Sequence, residues 1–247
     1  IRIDKELPYI TWTTSITSNN INGLFAKAED KISITFTSHE VLLNNPTVNI
    51  SGWGSMSFVS KIWNTYIYER NMNLTDPEWI ISINISMEDL ATNVWTYTLN
   101  SSITYDRTPP AWISITQPTT HTYFQWGTNK TITRTTGSEI NFWATPLVLQ
   151  YSNDGWNTLH STIINWAPNN GSYNRTFPVV DSTLASVRII ATDLAGNVSY
   201  ITWNNFTLDS THPTNVNFTY PVWVVYFKWG SWYTITRTWW TDNFLSQ

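Results

Sequence analysis

Apolar and polar residues alternate strictly along Lys31-Ile32-Ser33-Ile34-Thr35-Phe36. Side chains two positions apart in a strand point the same way, so the three apolar side chains share one face. The same alternation recurs over residues 47–50, 81–85 and 94–99. The pattern predicts half-buried β-strands, and no run of helical period in the chain is longer than two turns.

The later part of the chain has the same character. Strands are predicted around residues 131–134, 147–151, 172–177, 187–191 and 205–208, with Gly- and Asn-rich turn clusters between them. About seven short strands per hundred residues, with turns every 8–12 residues, is the pattern of an immunoglobulin-like sandwich. The predicted fold class is therefore all-β, in the form of tandem immunoglobulin-like β-sandwiches.

A phrase of the form apolar-Asp-x-x-x-Pro occurs three times, and its aspartates Asp4, Asp106 and Asp209 lie 102 and 103 residues apart. Proline stops a strand from continuing into a central sheet position, so the phrase marks the join between repeated domains. We expect residues 1–8 to be the last strand of a preceding repeat. Residues 9–109 and 110–213 are then complete domains, and residues 214–247 begin a third, truncated domain.

Composition excludes several classes of function. The net charge is −4 with 13 Lys and Arg, which argues against binding to nucleic acid because that requires a basic surface. No apolar run approaches the roughly 20 residues that span a membrane. None of the four His lies in a catalytic signature, and the chain has neither a Gly-x-Ser-x-Gly motif nor a phosphate-binding glycine loop. We therefore expect the chain not to be an enzyme.

One turn resembles a feature of enzymes. Residues 152–158, Ser-Asn-Asp-Gly-Trp-Asn-Thr, are similar to the Asp-box hairpin of sialidases. In those enzymes the box is structural, because the Asp side chain accepts hydrogen bonds from the backbone of a tight turn. The motif occurs once in the second repeat, so we interpret Asp154 as a turn stabiliser.

Both complete repeats resemble the bacterial immunoglobulin-like repeats of large cell-surface, adhesin-type proteins. The resemblance rests on residues 18–20, 26–31, 46–50 and 89–93 of the first repeat and on residues 149–155, 169–173, 187–189 and 193–197 of the second. The motif Asp89-Leu90-Ala91-Thr92-Asn93 recurs as Asp193-Leu194-Ala195-Gly196-Asn197. Thr92 departs from the family, which usually has Gly at this position.

The resemblance implies a non-enzymatic structural or adhesive stalk segment of a bacterial cell-surface or secreted protein. Its location would be extracellular or at the cell surface. Its partners would be the neighbouring repeats of the same chain and, in an adhesive role, a surface glycan or protein. The alternative is a ligand-binding module that recognises glycan or protein through its loops and exposed aromatic residues.

The acidic residues at the joins are the candidate metal site. Calcium takes six to eight oxygen ligands, and carboxylates at domain joins can supply them. Asp106 and Asp209 end their repeats, while Asp89 and Asp193 open the Asp-x-x-x-Asn turns. If calcium binds there, we expect Asp106 to meet Asp89 and Asp209 to meet Asp193. The alternative is that each Asp caps its own turn and that the chain has no cofactor.

The tryptophans are the discordant feature of the sequence. The chain has 16 Trp and 9 Gly, and nine Gly is about half the usual frequency of roughly 7%. One hypothesis is a translation in the wrong genetic code, with Trp written for Gly and some Arg written for Trp. It expects Arg134, Arg175 and Arg237 to point into the sandwich core. It also expects Trp126, Trp156, Trp229, Trp239 and Trp240 to lie mainly in exposed turns, with positive φ at several of them. The alternative is an authentically Trp-rich protein whose rings bind a ligand.

Overall fold

The structure is a computed structural model of the 247-residue chain. It describes residues 3–120, 122–125, 127–158, 160–214, 217–220 and 226–238. Every regular element in these ranges is a strand. In chain order the strands are β1 (Ile10–Ser18), β2 (Phe25–Ala26), β3 (Lys31–Ser38), β4 (Thr47–Ile50), β5 (Gly54–Ser55), β6 (Ser57–Ile62), β7 (Thr65–Asn71), β8 (Ile80–Glu88), β9 (Val94–Tyr105), β10 (Ile115–Gln117), β11 (Tyr123–Gln125), β12 (Asn129–Arg134), β13 (Phe142–Ser152), β14 (His160–Ala167), β15 (Ser172–Thr176), β16 (Ser182–Asp193), β17 (Val198–Thr202), β18 (Phe206–Asp209), β19 (Phe218–Tyr220) and β20 (Thr236–Arg237).

The chain divides into two compact units. The first comprises Ile1–Ala111 together with two later segments, Ser138–Pro146 and Ala191–Ser199. The second comprises Trp112–Gly137, Leu147–Ile190 and Tyr200–Gln247. The turn that contains Asp193 and Asn197 therefore belongs to the first unit, as does its earlier copy at Asp89 and Asn93.

The first unit is a sandwich of two sheets. A four-stranded sheet has the order β1-β3-β7-β6, and a five-stranded sheet has the order β2-β9-β8-β4-β5. Every second residue of β3 is buried, and β8 shows the same alternation from Ile81 to Met87. These apolar faces form one core cluster with Tyr66 and Tyr105, which are fully buried. The alternation seen in the sequence therefore packs one face of each sheet inwards, as an immunoglobulin-like sandwich requires.

The second unit is also built from strands alone. One sheet has the order β10-β12-β15, and the other has the order β11-β18-β16-β13-β14, with β17 paired to β16. Its buried apolar residues include Ile115, Ile132, Leu149, Val187 and Phe206. Strands β19 and β20 pair with each other, and both are exposed. The predicted strands are present in both repeats, and the all-β, tandem immunoglobulin-like fold class is confirmed.

Arg134 is an unusual member of this interior. It shares a strand face with Ile132 and is only 5% exposed. Its Nη2 atom donates a hydrogen bond to the carbonyl of Pro168 at 2.7 Å, but Nε and Nη1 have no hydrogen-bond partner. Burial lowers the pKa of the guanidinium. A buried cation without a carboxylate partner is an arrangement that natural sequences avoid.

The other two arginines differ from Arg134. Arg175 is half-buried, and its Nε atom has no hydrogen-bond partner. Arg237 is exposed, contrary to the expectation that it points into a core. The reason is physical: the two short strands β19 and β20 form an exposed pair, so Arg237 has no described sheet face to be buried against.

Among the described residues, four tryptophans have a left-handed backbone. The φ angles are 59° at Trp63, 61° at Trp112, 68° at Trp156 and 64° at Trp166. This region suits Gly and penalises residues that carry a Cβ atom. Trp229 is 98% exposed, as expected, but is not among the residues with positive φ. Trp126, Trp239 and Trp240 lie outside the described residues.

Candidate functional site at the repeat joins

The turn that follows β8 is held by its own Asp and Asn. One carboxylate oxygen of Asp89 accepts hydrogen bonds from the backbone N–H of Ala91 and of Asn93, both at 2.8 Å. The side-chain amide of Asn93 donates to the other carboxylate oxygen, also at 2.8 Å. Asp89 is buried, so these bonds replace the water that its charge would lose on folding.

The turn that follows β16 has the same construction. The backbone N–H of Asn197 donates to one carboxylate oxygen of Asp193 at 2.8 Å, and its side-chain amide donates to the other at 2.9 Å. The backbone N–H of Gly196 closes the turn on the Asp193 carbonyl at 3.1 Å. Asp89 and Asp193 therefore both cap their own turns, which was the alternative to metal binding.

Each turn also contacts the segment that leads into its repeat. The side-chain amide of Asn93 lies 3.5 Å from the carbonyl of Asp4 and 3.2 Å from that of Glu6. The amide of Asn197 donates to the carbonyl of Asp106 at 3.0 Å. The expected pairing was Asp106 with Asp89, but the structure places Asp89 with Asp4, and Asp193 with Asp106. Each turn therefore lies beside the segment that holds the preceding aspartate of the Asp-x-x-x-Pro series.

At the first of these positions three carboxylates converge. One carboxylate oxygen from each of Asp4, Glu40 and Asp89 lies within 4.8 Å of the other two. Burial raises the pKa of Glu40, His39 lowers it, and the negative charges of Asp89, Asp4 and Glu6 raise it further. His39 Nε2 lies 3.4 Å from a Glu40 oxygen. Three carboxylates so close together repel one another and match the oxygen ligands of calcium.

The two turn aspartates differ in their acidity. Burial raises the pKa of Asp89, but its hydrogen bonds from Asn93 and Ala91 outweigh burial, so the pKa ends below its usual value. Burial also raises the pKa of Asp193, and the nearby charges of Asp106 and Glu139 add to it. The pKa therefore ends above its usual value despite the bonds from Asn197. Of the two equivalent turn carboxylates, that of Asp193 therefore pays the larger cost of burial.

The remaining predicted metal ligands have separate partners. A carboxylate oxygen of Asp106 accepts a hydrogen bond from the side-chain amide of Asn141 at 2.7 Å. Asp209 accepts one from the backbone N–H of Thr211 at 3.0 Å, which is a cap on its own loop. Asp209 belongs to the second unit and none of the other three does. In the described part of the chain, Asp209 and Asp193 therefore have separate hydrogen-bond partners.

Asp154 stabilises its turn as predicted. Its carboxylate accepts hydrogen bonds from the backbone N–H of Asn157 at 3.2 Å and of Thr158 at 2.8 Å. The hydroxyl of Ser152 donates to it at 2.7 Å. These bonds account for the Asp-box motif as turn chemistry.

Sequence analysis did not identify several of the residues that meet at the joins. Glu40 completes the acidic cluster but has no motif around it, so no signal could have identified it. Asp4 is the first aspartate of the repeated Asp-x-x-x-Pro phrase. Pairing each turn with the phrase before it, instead of the one after it, would have grouped Asp4 with Asp89. Asn20, Asn22 and Lys27 bond to the turn of residues 193–197, and only the fold brings them there.

Comparison with known proteins gives structural likenesses. Fibronectin(III)-like modules of Clostridium thermocellum CbhA are 11% identical, with a TM-score of 0.40 over 78% of this chain and 94% of theirs. A Ca²⁺-stabilized adhesin by which an Antarctic bacterium binds ice is 15% identical, with a TM-score of 0.43 over 83% of this chain and 52% of that one. A tetra-tandem repeat from the extending region of a large adhesion protein is 17% identical, with a TM-score of 0.30 over 86% and 53%.

No protein-family model matches this chain, and no curated protein is significantly similar to it in sequence. Identities and TM-scores this low do not transfer a function from these structures to this chain. The part of the chain that the structure describes contains no helix long and apolar enough to cross a membrane. The fold and its repeated turns define the class: this is a tandem immunoglobulin-like β-sandwich protein.

Proposed function

We propose that the chain is a non-enzymatic stalk or adhesive segment of a bacterial cell-surface or secreted repeat protein. The observation that carries the proposal is the recurrence of one contact: Asn93 bonds to the carbonyls of Asp4 and Glu6, and Asn197 bonds to the carbonyl of Asp106. Such a contact anchors each repeat to the segment that enters it. A tandem array with anchored joins provides reach, since each unit of about 100 residues adds its own length.

Surface labelling tests the location. Antibodies raised against this chain should label intact source cells or their culture medium. Labelling that appears only after the cells are broken would contradict an extracellular role. A glycan array tests the alternative of a ligand-binding module: selective binding that is lost when exposed Trp residues of one loop cluster are changed to Ala would favour that module over a stalk.

The choice between these functions depends on the tryptophans. We propose that the natural protein has Gly at Trp63, Trp112, Trp156 and Trp166, and Trp at Arg134. Two observations support this. The four Trp residues have the φ of glycine, and Arg134 occupies a buried site where two of its nitrogen atoms lack partners. The exposure of Arg237 does not support the same exchange there.

The exchange has a direct consequence for function. Trp63 and Trp112 are 91% and 81% exposed, and exposed aromatic rings are what a glycan-binding surface would offer. If these residues are Gly in the natural protein, that surface does not exist. Peptide mass spectrometry on protein purified from its source organism decides the matter. Peptides whose masses fit Trp at positions 63 and 112 would overturn the proposal.

We also propose calcium at the joins. Asp4, Glu40 and Asp89 would supply carboxylate ligands at the first join, Asp106 and Asp193 at the second, and Asp209 at the third. The convergence of three carboxylates within 4.8 Å supports the first of these. Bound calcium would relieve the mutual repulsion that contributes to the raised pKa of Glu40.

Calcium titration during unfolding tests this site. Calcium at a hundred times its dissociation constant should stabilise the folded chain by about 2.7 kcal/mol. Glu40→Gln should remove most of that gain, whereas Glu69→Gln, in the surface pair with Lys31, should leave it intact. An unfolding midpoint that does not respond to calcium would contradict the site, and the stalk function would be unaffected.

A further inference from the structure

Three consecutive carbonyls in the turn after β16 each accept a hydrogen bond from a side chain of residues 20–27. Asn22 Nδ2 donates to the carbonyl of Leu194 at 3.2 Å, and Asn20 Nδ2 donates to that of Ala195 at 2.9 Å. Lys27 Nζ donates to the carbonyl of Gly196 at 2.9 Å. All of these residues belong to the first unit. We call the three donors the turn clasp.

The turn clasp is held by bonds of its own. Asn20 is 9% exposed, and its side-chain amide also donates to Asp30 at 2.6 Å. The same oxygen of Asp30 accepts the backbone N–H of Lys27 at 2.7 Å. The carbonyl oxygen of the Asn20 side chain accepts the backbone N–H of Asn22 at 2.9 Å. The Asn20 side chain is therefore oriented by its own loop, which reduces the entropy it loses in binding the turn.

Strand pairing places the turn clasp beside the end of its repeat. Phe25 and Ala26 of β2 pair in parallel with Thr104 and Tyr105 at the end of β9. The next residue, Asp106, donates its backbone N–H to the carbonyl of Ala26 at 2.9 Å. The carbonyl of Asp106 then accepts the Asn197 side chain. The last strand of a repeat thus brings both its clasp and its terminal aspartate to the following turn.

The corresponding turn after β8 has no such cover. Leu90, Ala91 and Thr92 are exposed, with Leu90 at 67%, whereas Ala195 in the second copy is fully buried. Among the described residues, no side chain donates a hydrogen bond to the carbonyl of Leu90, Ala91 or Thr92. Yet the entering segment is present, because the carbonyls of Asp4 and Glu6 meet Asn93.

We propose that the exposed surface of Leu90, Ala91 and Thr92 is the docking site for a preceding repeat of the same kind. That repeat would present a clasp with two carboxamide donors and one ammonium donor, in the places of Asn20, Asn22 and Lys27. The inference rests on the proposed function as a tandem array. The pKa values of the two turn aspartates agree with this proposal. The pKa of Asp193, in the covered turn, is raised, whereas that of Asp89 is lowered.

A cysteine reporter tests the proposal, because the chain has no cysteine of its own. Ala91→Cys is introduced into the full chain and into a longer chain in which a second copy of residues 9–105 is joined directly to Asp4. Reaction of the introduced thiol with a maleimide should be fast in the full chain and slower by about tenfold or more in the longer one. The longer chain with Asn20→Ala and Lys27→Ala in the added copy should react fast again.

Two controls separate the outcomes. Ala195→Cys reports the covered turn and should react slowly in both chains, which also shows that the original part of the longer chain is folded. A longer chain with three Gly inserted before Asp4 keeps the added copy but no longer holds it against the turn. Its Ala91→Cys thiol should therefore still react fast with the maleimide. A fast Ala91→Cys thiol in the uninterrupted longer chain, beside a slow Ala195→Cys thiol, would overturn the docking site. It would leave the tandem-array function standing.

Discussion

Thr92 and Gly196 occupy the same place in two copies of one turn, and both have a left-handed backbone. Their φ angles are 66° and 83°, and each donates its backbone N–H to the carbonyl of the turn's Asp at 3.1 Å. Gly adopts this conformation without a steric cost, whereas a β-branched residue does not. The family resemblance singled out Thr92 as the departure from the usual Gly, and the backbone shows where the cost of that departure lies.

Replacing Thr92 with Gly should therefore stabilise the first unit. Left-handed backbone costs an L-residue about 1–2 kcal/mol, and the extra freedom of Gly in the unfolded chain takes back about 0.4–1 kcal/mol. We expect a net gain of about 0.5–1 kcal/mol, measured by chemical denaturation. Ala91→Gly is the matched control, since Ala91 is not a positive-φ residue, and it should lower stability. Equal losses from both substitutions would contradict this account.

Asn197 should contribute more to stability than Asn93. Its amide bonds to Asp193 and to the Asp106 carbonyl, and the Asp193 carboxylate that it serves is buried. Removing it leaves that charge short of donors, so Asn197→Ala should cost about 1–3 kcal/mol in the free energy of unfolding. Asn93→Ala is the comparison. Its cost should be smaller because the bonds from Asn93 to the carbonyls of Asp4 and Glu6, at 3.5 and 3.2 Å, are longer than the 3.0 Å bond from Asn197 to the Asp106 carbonyl. A larger loss of stability from Asn93→Ala than from Asn197→Ala would contradict this ranking.

The ion pair of Arg70 and Asp76 is the main buried charge pair of the first unit. The guanidinium makes two bonds to the carboxylate, at 2.7 and 2.8 Å, and the side chains are 13% and 7% exposed. Asp76→Ala leaves Arg70 uncompensated and should cost about 3–5 kcal/mol in denaturation. Glu69→Ala breaks the more exposed pair with Lys31 and should cost about 1 kcal/mol or less. Similar costs for the two changes would refute this ranking.

The same pair predicts a dependence on pH. Burial raises the pKa of Asp76, but the bonds from Arg70 and Asn73 outweigh it and the pKa ends below its usual value. The folded state therefore holds this proton less tightly than the unfolded state. The stabilisation is present above the unfolded value of about 3.9 and is lost as pH falls through the folded pKa. The difference in unfolding free energy between the wild type and Asp76→Asn should shrink below about pH 4.

Trp63 tests the backbone cost of a tryptophan with positive φ. It is 91% exposed with φ of 59°, so Trp63→Gly removes a left-handed penalty and loses little packing. Trp79 is 64% exposed and is not a positive-φ residue, which makes Trp79→Gly the matched control. The first substitution should leave the chain about 1–2 kcal/mol more stable than the second, as measured by urea denaturation. Equal effects would show that the backbone at Trp63 is not strained.

The fold class could be predicted because its signal is local. Alternation along residues 31–36 depends only on the two-residue period of a strand, and Ile32, Ile34 and Phe36 are indeed fully buried. The turns at Asp89 and Asp193 were equally readable, since each carboxylate bonds to the backbone within four residues. The Asp-x-x-x-Pro phrase was likewise local, and it located the segments that meet those turns.

The partners of these turns could not be predicted in the same way. Local patterns say that Asp89 caps a turn, but only strand order and pairing determine that Asp4 and Glu40 lie beside it. Arg134 and Arg237 recur at one repeat's interval, yet one is buried and the other exposed, because burial depends on which strands cover a sheet face.

The sequence by itself determined the strands, the repeat and the capped turns, because each of these follows from bonds and periods within a few residues. The tertiary structure alone decided that Asn20, Asn22 and Lys27 reach the carbonyls of residues 194–196, more than 160 residues away along the chain. No sequence spacing encodes that contact. It exists because β2 pairs with the end of β9, and that pairing carries the clasp to the point where the next turn arrives.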